Sequence, residues 1–372
     1  MSAATRDHGA GSAHSAGALS LLRDCVHGDP GERLLIVEEP KGAGYYDDDA
    51  PQMAAAAGRA MGMRVYETQA PDSLSEAEEV SAFIDSLKGF DHVVFFTRVG
   101  DQIRFSDLPG MPPSTMCYAL DREMLESAFG TACHHGMCEL KAAIDDAFAA
   151  ASEARVTCPS GTDYAGDPSS FAAESADVSL KRFPMLVPRP VPAAGFRGRI
   201  ALTRFLVGTG SRFYEPYSLP LAGVVFAHVE DNRIAGFEGA EADAVRAHYL
   251  DVGGRFGLDP WFVHSWHAGM HPGCGFAAEA ESQIIRWSGS AFGNPRVLHF
   301  HTCGDFAPGE ISMNVFDPTV TLDGVAVWED GRLFPERLEG CARVLARHPR
   351  LAELFHAPRR DIGIPDGRRW SA

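Results

Sequence analysis

Short apolar segments alternate with helical segments over the first part of the chain, and this alternation constrains the fold more than any other feature. RLLIVEE (33–39), RVYETQ (64–69) and DHVVFFT (91–97) have the length and the apolar content of strands. Between them, PQMAAAAGRAMGM and SLSEAEEVSAFIDSLKG have helical patterns. A further strand, RVTCP (155–159), ends the series. Strands that alternate with helices predict a doubly wound α/β N-terminal domain over residues 20–165.

The pattern changes at about residue 166, and prolines then cluster in RFPMLVPRPVPAAGFRG. Proline lacks the amide donor that a central strand or a helix interior needs, so residues 166–192 are predicted to form an extended connector. Strand-like segments with few helices follow, and Asp330-Gly331 in TLDGVAVWEDGRL is typical of a hairpin turn. We therefore predict a β-rich α+β C-terminal domain over residues 193–372.

The charge of the chain limits its partners. Lysine and arginine total 33 and aspartate and glutamate total 50, so the formal net charge is −17. Such a chain repels phosphate backbones, which excludes nucleic acid as an expected partner. No segment approaches the roughly 20 apolar residues of a membrane helix, and MSAATRDHGAGSAHSAGALS lacks the apolar core of a signal peptide. We expect a cytoplasmic protein that binds a small molecule and no membrane, and we also expect a homo-oligomer.

Residue types that bind metals cluster in two segments of the C-terminal half. LHFHTCGDFAPGE contains two histidines, a cysteine, an aspartate and a glutamate, and WFVHSWHAGMHPGCGF contains three histidines. Side chains alternate faces along a strand, so His299 and His301 are expected to share one face. Gly304 permits a turn that could bring Asp305 or Glu310 back to the same cavity. These segments therefore predict a metal site.

The residue types favour one catalytic metal without naming it. Two imidazoles and a carboxylate with open positions are the ligands of non-heme Fe(II) oxygenases. Three protein ligands with an open position also describe a catalytic zinc site. The eight cysteines are scattered without a CxxC pair, which does not favour a zinc ribbon.

Several segments together resemble a known family. ERLLIVEEP, AAAAGRAMGMRVYETQAP, ARVTCPSGTDYAG, HVEDNRIAGFEGAEADAVRAHY, GMHPG and PTVTLDGVAVWEDGRLF are similar to segments of the aminopeptidase T family of metallopeptidases. The resemblance covers most of residues 30–335. It implies a metal-dependent enzyme that either hydrolyses small amides or, as in the family's 2,5-dihydroxypyridine 5,6-dioxygenase branch, opens a pyridine ring with one Fe(II).

The chain departs from the peptidase ligand pattern at two places. The peptidases carry a glutamate shortly before a Gly-x-Asn-Pro turn, where this chain has His264 or Ser265. The dioxygenase branch has a histidine at that glutamate, and His264 is similar to it. Both groups carry a late His-x-Asp pair, whereas this chain has Glu310-Ile311-Ser312.

These observations give one preferred hypothesis and two alternatives. We predict a mononuclear non-heme Fe(II) dioxygenase that cleaves the ring of a hydroxylated aromatic or N-heteroaromatic compound. The alternatives are an aminopeptidase-like or amidase-like hydrolase that activates water with zinc or another divalent metal, and a metal-binding or ligand-binding protein without activity. The predicted metal ligands are His264, His301 and Asp305, with His299, Glu310 and His267 as substitutes or supporting groups. His267 or His271 is predicted to act as general acid or base, and the predicted walls of the ring site are Trp261, Trp266 and Phe276.

Overall fold

The computed structural model describes residues 15–71, 77–104, 109–173, 178–306 and 308–365. Its strands, numbered in chain order, are β1 (Arg33–Glu38), β2 (Arg64–Gln69), β3 (His92–Phe96), β4 (Ser114–Cys117), β5 (Ala154–Thr157), β6 (Asp163–Gly166), β7 (Lys181–Phe183), β8 (Val191–Pro192), β9 (Phe196–Leu202), β10 (Phe205–Gly208), β11 (Ser218–Pro220), β12 (Val225–Glu230), β13 (Arg233–Glu238), β14 (Val263–Ala268), β15 (Val297–Thr302), β16 (Ile311–Phe316), β17 (Thr319–Leu322), β18 (Val325–Glu329) and β19 (Arg332–Leu333). Its α-helices are α1 (Ala16–Leu19), α2 (Asp49–Ala60), α3 (Ala77–Leu87), α4 (Val99–Ile103), α5 (Arg122–Glu126), α6 (Ala128–Thr131), α7 (His134–Ala150), α8 (Ser170–Ala173), α9 (Ala242–Phe256), α10 (Ile284–Ser290), α11 (Glu339–Arg347) and α12 (Pro349–His356). A π-helical turn follows α1 at Ser20–Val26, and 3₁₀ turns lie at Ala280–Gln283, Ala291–Gly293 and Pro335–Arg337.

The first sheet is parallel, with the strand order β2-β1-β3-β4-β7. The central residues of β1 and β3 are buried on both faces, as in a sheet that is covered by helices on each side. Leu34, Ile36, Val94 and Phe95 are among the apolar side chains of this core. The alternation of apolar strands and helices in the sequence corresponds to this layer.

Two antiparallel sheets form the rest of the strand structure. One has the order β11-β10-β16-β15-β14-β8, and the other has the order β13-β12-β9-β6-β5-β17-β18-β19. A second core lies around these sheets and includes Tyr164, Trp266, Phe300 and Trp328. The predicted Asp330-Gly331 turn joins β18 to β19, and both of its residues have the positive φ that this turn requires.

The chain therefore contains both helices and sheets, as predicted, but the sheets do not follow the predicted boundary at residue 165. Strand β5 pairs antiparallel with β6 and β17 in the eight-stranded sheet, not with the parallel strands. Strand β7 lies inside the predicted connector and extends the parallel sheet instead. The residue types of a short segment indicate that it forms a strand, but they do not indicate which other strand it pairs with. The division into two domains and a connector stays a prediction.

Within the described ranges, no helix is both long enough and apolar enough to cross a membrane.

Candidate metal centre

Two adjacent strands of the six-stranded sheet place three histidines on one face. Strands β14 and β15 are antiparallel, and His267 lies directly opposite His299. His301 is two residues further along β15, so the alternation of side chains puts it on the same face as His299. The intervening Phe300 and the neighbouring Trp266 point into the second core. The pairing of these two strands therefore assembles a group of His267, His299 and His301, called here the histidine triad.

The triad is compact and buried. The Nε2 atoms of His267 and His299 are 2.9 Å apart. The ring centroid of His301 lies 5.0 Å from each of the other two rings. One ring nitrogen of each histidine lies within 4.8 Å of the others. Two ligands at about 2.1 Å from one ion and at a right angle to each other are about 3.0 Å apart, so the observed separation suits two ligands of one metal.

Hydrogen bonds orient two of the three rings. His267 Nδ1 donates to the carbonyl oxygen of Pro188 at 2.8 Å, which leaves a lone pair on Nε2. His301 Nδ1 is 3.0 Å from Ser265 Oγ, which is in turn 2.8 Å from His264 Nδ1. Metal-binding histidines usually donate their second ring nitrogen in this way. His267 and His301 therefore present Nε2 to the centre of the triad.

The third ring is held by packing. His299 is stacked on Phe292 with a centroid distance of 4.2 Å and an interplanar angle of 17°. Its Nδ1 is buried and has no hydrogen-bond partner among the described residues. A flat aromatic contact fixes the plane of the ring, so its Nε2 stays directed at His267.

Burial keeps the triad in the form that binds metals. Desolvation lowers the pKa of His299 and His301 well below the usual value of a histidine, and the neighbouring histidines and the Arg104 charge lower it further. Neutral imidazole is the form that coordinates a metal, and it suits Fe, Zn, Cu and Ni. The donor set therefore fits one divalent transition-metal ion, with positions left for other ligands.

The structure places His264 and Asp305 outside the triad, although both were predicted as ligands. The pairing of β14 with β15 shifts between Val263 and Ser265, so His264 is the extra residue of a β-bulge and leaves the alternation. Asp305 is exposed, in the turn after β15. Its charge partly offsets the effect of burial, which lowers the pKa of His264. The structure instead groups His301 with His267 and His299. Both were predicted as substitute ligands or supporting groups, and His267 also as a general acid or base.

Glu310 and His271 also lie away from the triad. The Glu310 carboxylate is buried, accepts a hydrogen bond from Ser211 Oγ at 2.9 Å and is 3.0 Å from Arg212 Nε. His271 packs against Phe129 with a centroid distance of 4.9 Å, and burial lowers its pKa to about 3. A histidine with this pKa is neutral throughout the neutral range. Neither side chain lines the cavity beside the triad.

That cavity runs from the triad to the carboxyl end of the parallel sheet. Its described lining includes all three triad histidines, the aromatic residues Tyr45, Tyr118, Phe213, Tyr217 and Phe292, and the charged residues Arg98, Asp101, Arg104 and Arg182. Trp261, Trp266 and Phe276, which were predicted as walls, are not part of this lining. Sequence reasoning missed the arginines. Arg98 could have been found, because it follows a predicted parallel strand, and ligands bind where such strands end.

Removing the hydroxyl of Ser265 should weaken metal binding. Ser265→Ala deletes the hydrogen-bond partner of His301 Nδ1, and loss of such a supporting hydrogen bond costs about 10–100-fold in metal affinity. A titration with a competing chelator measures the affinity. The matched control is Asp305→Ala, which should bind metal as the unmodified protein does. Equal affinity in Ser265→Ala and wild type would contradict the orienting role of Ser265.

The buried Glu310 should make folding stability depend on pH. Burial raises its pKa to about 7, although the Ser211 hydrogen bond and the Arg212 charge oppose this. The folded protein therefore holds a proton that the unfolded chain releases near pH 4.5. Protonated Glu310 therefore stabilises the fold fully below pH 4.5. As the pH rises to 7, about 3 kcal/mol of this stabilisation is lost. Denaturation from pH 4.5 to 7.5 should show this fall in the wild type, and Glu310→Gln should flatten it. An identical slope in both proteins would contradict the raised pKa.

Comparisons with known proteins were informative only at the level of structure. A scan of protein-family models and a search of curated proteins both gave no match. A solved structure of 2,5-dihydroxypyridine dioxygenase from Pseudomonas putida KT2440 matches with a TM-score of 0.55 and 14% identity, over 87% of this chain and 98% of that one. AmpT from Thermus thermophilus matches with a TM-score of 0.47 and 10% identity, over 86% and 98%. The second score is too low to support a fold assignment. This chain has the fold of the dioxygenase structure.

Proposed function

We propose that the protein is a ring-cleaving dioxygenase that holds one Fe(II) on the histidine triad. Its substrate is a hydroxylated aromatic or N-heteroaromatic compound. The observation that carries the proposal is the position of three buried imidazoles on the wall of a cavity that also has five aromatic side chains in its lining. Iron would supply the redox chemistry that allows O₂ to react with an electron-rich ring. Both oxygen atoms enter the product as one ring bond breaks, so no external reductant is needed.

The residues of the cavity have separate roles in this proposal. The triad would hold the metal at the wall of the cavity, and His267 and His301 are held in position by Pro188 and Ser265. The neighbouring Phe292, which stacks on His299, adds an aromatic side chain to the wall of the cavity. Aromatic walls also exclude water, which strengthens electrostatic interactions between the substrate and the site.

The preference for iron does not rest on the ligand set. The prediction from sequence used two imidazoles and a carboxylate, whereas the triad has three imidazoles. Iron is preferred because the cavity suits an aromatic ring and because the fold resembles that of a dioxygenase. That resemblance, at 14% identity, concerns the fold alone, so the activity is our proposal.

A one-metal hydrolase is the second candidate, and the same three imidazoles favour it. Three histidines are the zinc ligands of carbonic anhydrase, where the metal lowers the pKa of bound water to about 7. A carboxylate-rich site for two metals has less support. In the part of the chain that the structure describes, the triad is the one group of three or more potential ligands.

Oxygen uptake tests the proposal. Fe(II)-loaded protein should consume O₂ in equal amount with the substrate when it is given a panel of dihydroxypyridines and dihydroxybenzenes. Mass spectrometry should show that the product contains both atoms of labelled O₂. If the iron-loaded protein hydrolyses small amides and consumes no O₂ with any member of the panel, the dioxygenase proposal is wrong.

A further inference from the structure

Arg98 stands where the parallel sheet has its topological switch point. It follows β3 closely, and Glu39 directly follows β1, which is the neighbouring strand in the order β2-β1-β3-β4-β7. The chain continues from β1 to β2 on one side and from β3 to β4 on the other. Ligands of open α/β sheets bind in the crevice beyond the carboxyl ends of the strands at this point. The cavity beside the triad opens onto this crevice, and Arg98 lines it.

The guanidinium of Arg98 is held rigidly. Its Nε donates to Glu39 Oε1 at 3.1 Å, while Glu39 Oε2 accepts the backbone N–H groups of Tyr45 and Tyr46 at 3.2 Å each. The Arg98 Cζ atom lies 4.0 Å from the ring centroid of Phe213 and 5.5 Å from that of Tyr45. An ion pair on one edge and rings beside the guanidinium leave little rotational freedom. Arg98 is therefore preorganised for a ligand.

The other edge of this guanidinium is available. Its side chain is 22% exposed, and its two terminal nitrogens make no hydrogen bond to any of the described residues. Two parallel N–H donors of an arginine match the two oxygens of a carboxylate, and this bidentate contact is stronger than a hydrogen bond between neutral groups. Arg98 thus offers a site for a planar anion inside a cavity whose lining also includes five Tyr and Phe side chains.

The charge of the cavity lining also favours an anionic ligand. Its described charged residues are three arginines and one aspartate, although the whole chain has a net charge of −17. Arg104 is ion-paired with Asp101 and donates to the hydroxyl oxygen of Tyr118 at 3.2 Å. Arg182 is buried, with 7% of its surface exposed, so Arg98 is the principal candidate for ligand binding. A cavity of this composition attracts anions.

We propose that the substrate is an aromatic acid and that Arg98 binds its carboxylate. The triad and Arg98 line one cavity, so a ring between them would present one edge to the metal and its carboxylate to the guanidinium. The identity of the group that faces the metal rests on the proposed function. Binding of the carboxylate by Arg98 does not depend on that function.

Calorimetric titration of the full-length, zinc-loaded protein tests this inference without turnover. The probes are 3-hydroxybenzoate and 3-hydroxybenzamide, which have similar shapes but differ in charge and cannot chelate a metal through adjacent groups. Wild type should bind the acid at least about tenfold more tightly than the amide, since a hydrogen bond to a charged group contributes more than one between neutral groups. Arg98→Met should reduce this ratio to about one. Arg98→Lys keeps the positive charge but lacks the two parallel N–H donors of the guanidinium, so it should give an intermediate ratio.

The matched control is Arg122→Met, because Arg122 is a surface arginine whose side chain is 55% exposed, and this variant should keep the wild-type ratio. The inference is wrong if wild type binds both probes equally or if a folded Arg98→Met keeps the preference. It is also wrong if inorganic phosphate displaces the acid at equal concentration, since the site would then take a tetrahedral anion. If Arg98→Met does not fold, the inference is tested by the ratio of acid to amide affinity in wild type and in Arg98→Lys. A preference for the acid without any O₂ uptake would support Arg98 and overturn the dioxygenase, whereas O₂ uptake without the preference would do the reverse.

Discussion

Replacing His301 with alanine is expected to reduce bound metal from about one ion per chain to nearly none, because the triad would supply three protein ligands and the two that remain leave an incomplete site. His301 is 6% exposed and lies next to both other triad histidines. The variant should stay folded, since Trp266 and Phe300 form the core on the opposite face of the sheet. Elemental analysis of protein purified without oxygen measures the metal, and circular dichroism checks the fold.

His264→Ala is the matched control for this experiment. His264 lies one residue from Ser265 and is half-buried, but the bulge in β14 takes it out of the triad. It should therefore keep close to wild-type metal content. Full metal in folded His301→Ala would refute both ligand assignments, because His301 belongs to each of them. Loss of metal in His264→Ala would favour the assignment made from sequence over the one made from structure.

Exchanging iron for zinc is expected to abolish ring cleavage while the metal site stays filled. Both ions accept imidazole ligands, so zinc should bind to the same triad. Zinc has no redox chemistry, so it cannot support the reaction of O₂ with the ring. Oxygen uptake with the preferred substrate should fall to background in zinc-loaded protein and return when the zinc is removed and Fe(II) is added.

The opposite pattern would identify a hydrolase. Turnover of a small amide under nitrogen by the zinc-loaded protein, with no iron present, would show that the metal activates water. The control for both arms is His301→Ala loaded with the same metal, which should be inactive in either reaction. Activity that survives in this variant would come from a contaminant or from another site.

The sequence predicted the parts of the fold that depend on local pattern. The apolar segments at β1 and β3 and the Asp330-Gly331 turn follow from residue content and spacing alone. The sheet assignment of β5 did not, because its partner β17 lies more than 160 residues further along the chain. Pairing between distant strands depends on the packing of the whole domain, which no local window contains.

In the candidate site, too, local pattern could be predicted from the sequence, whereas strand pairing could not. Alternation along a strand correctly placed His299 and His301 on one face. The bulge at His264 shifts the residues that follow it by one position, and this exchanged His264 for His267 in the group. Arg98 follows strand β3 of the parallel sheet, so no spacing within the histidine segments could have indicated it.

The central claim is that His267, His299 and His301 together hold one metal ion. Anomalous diffraction at the iron edge, from crystals of Fe(II)-loaded protein grown without oxygen, tests it most directly. We expect one peak about 2.1 Å from the Nε2 atoms of all three histidines. A peak bound by His264 and Asp305, or a triad without a peak in iron-loaded crystals, would contradict it.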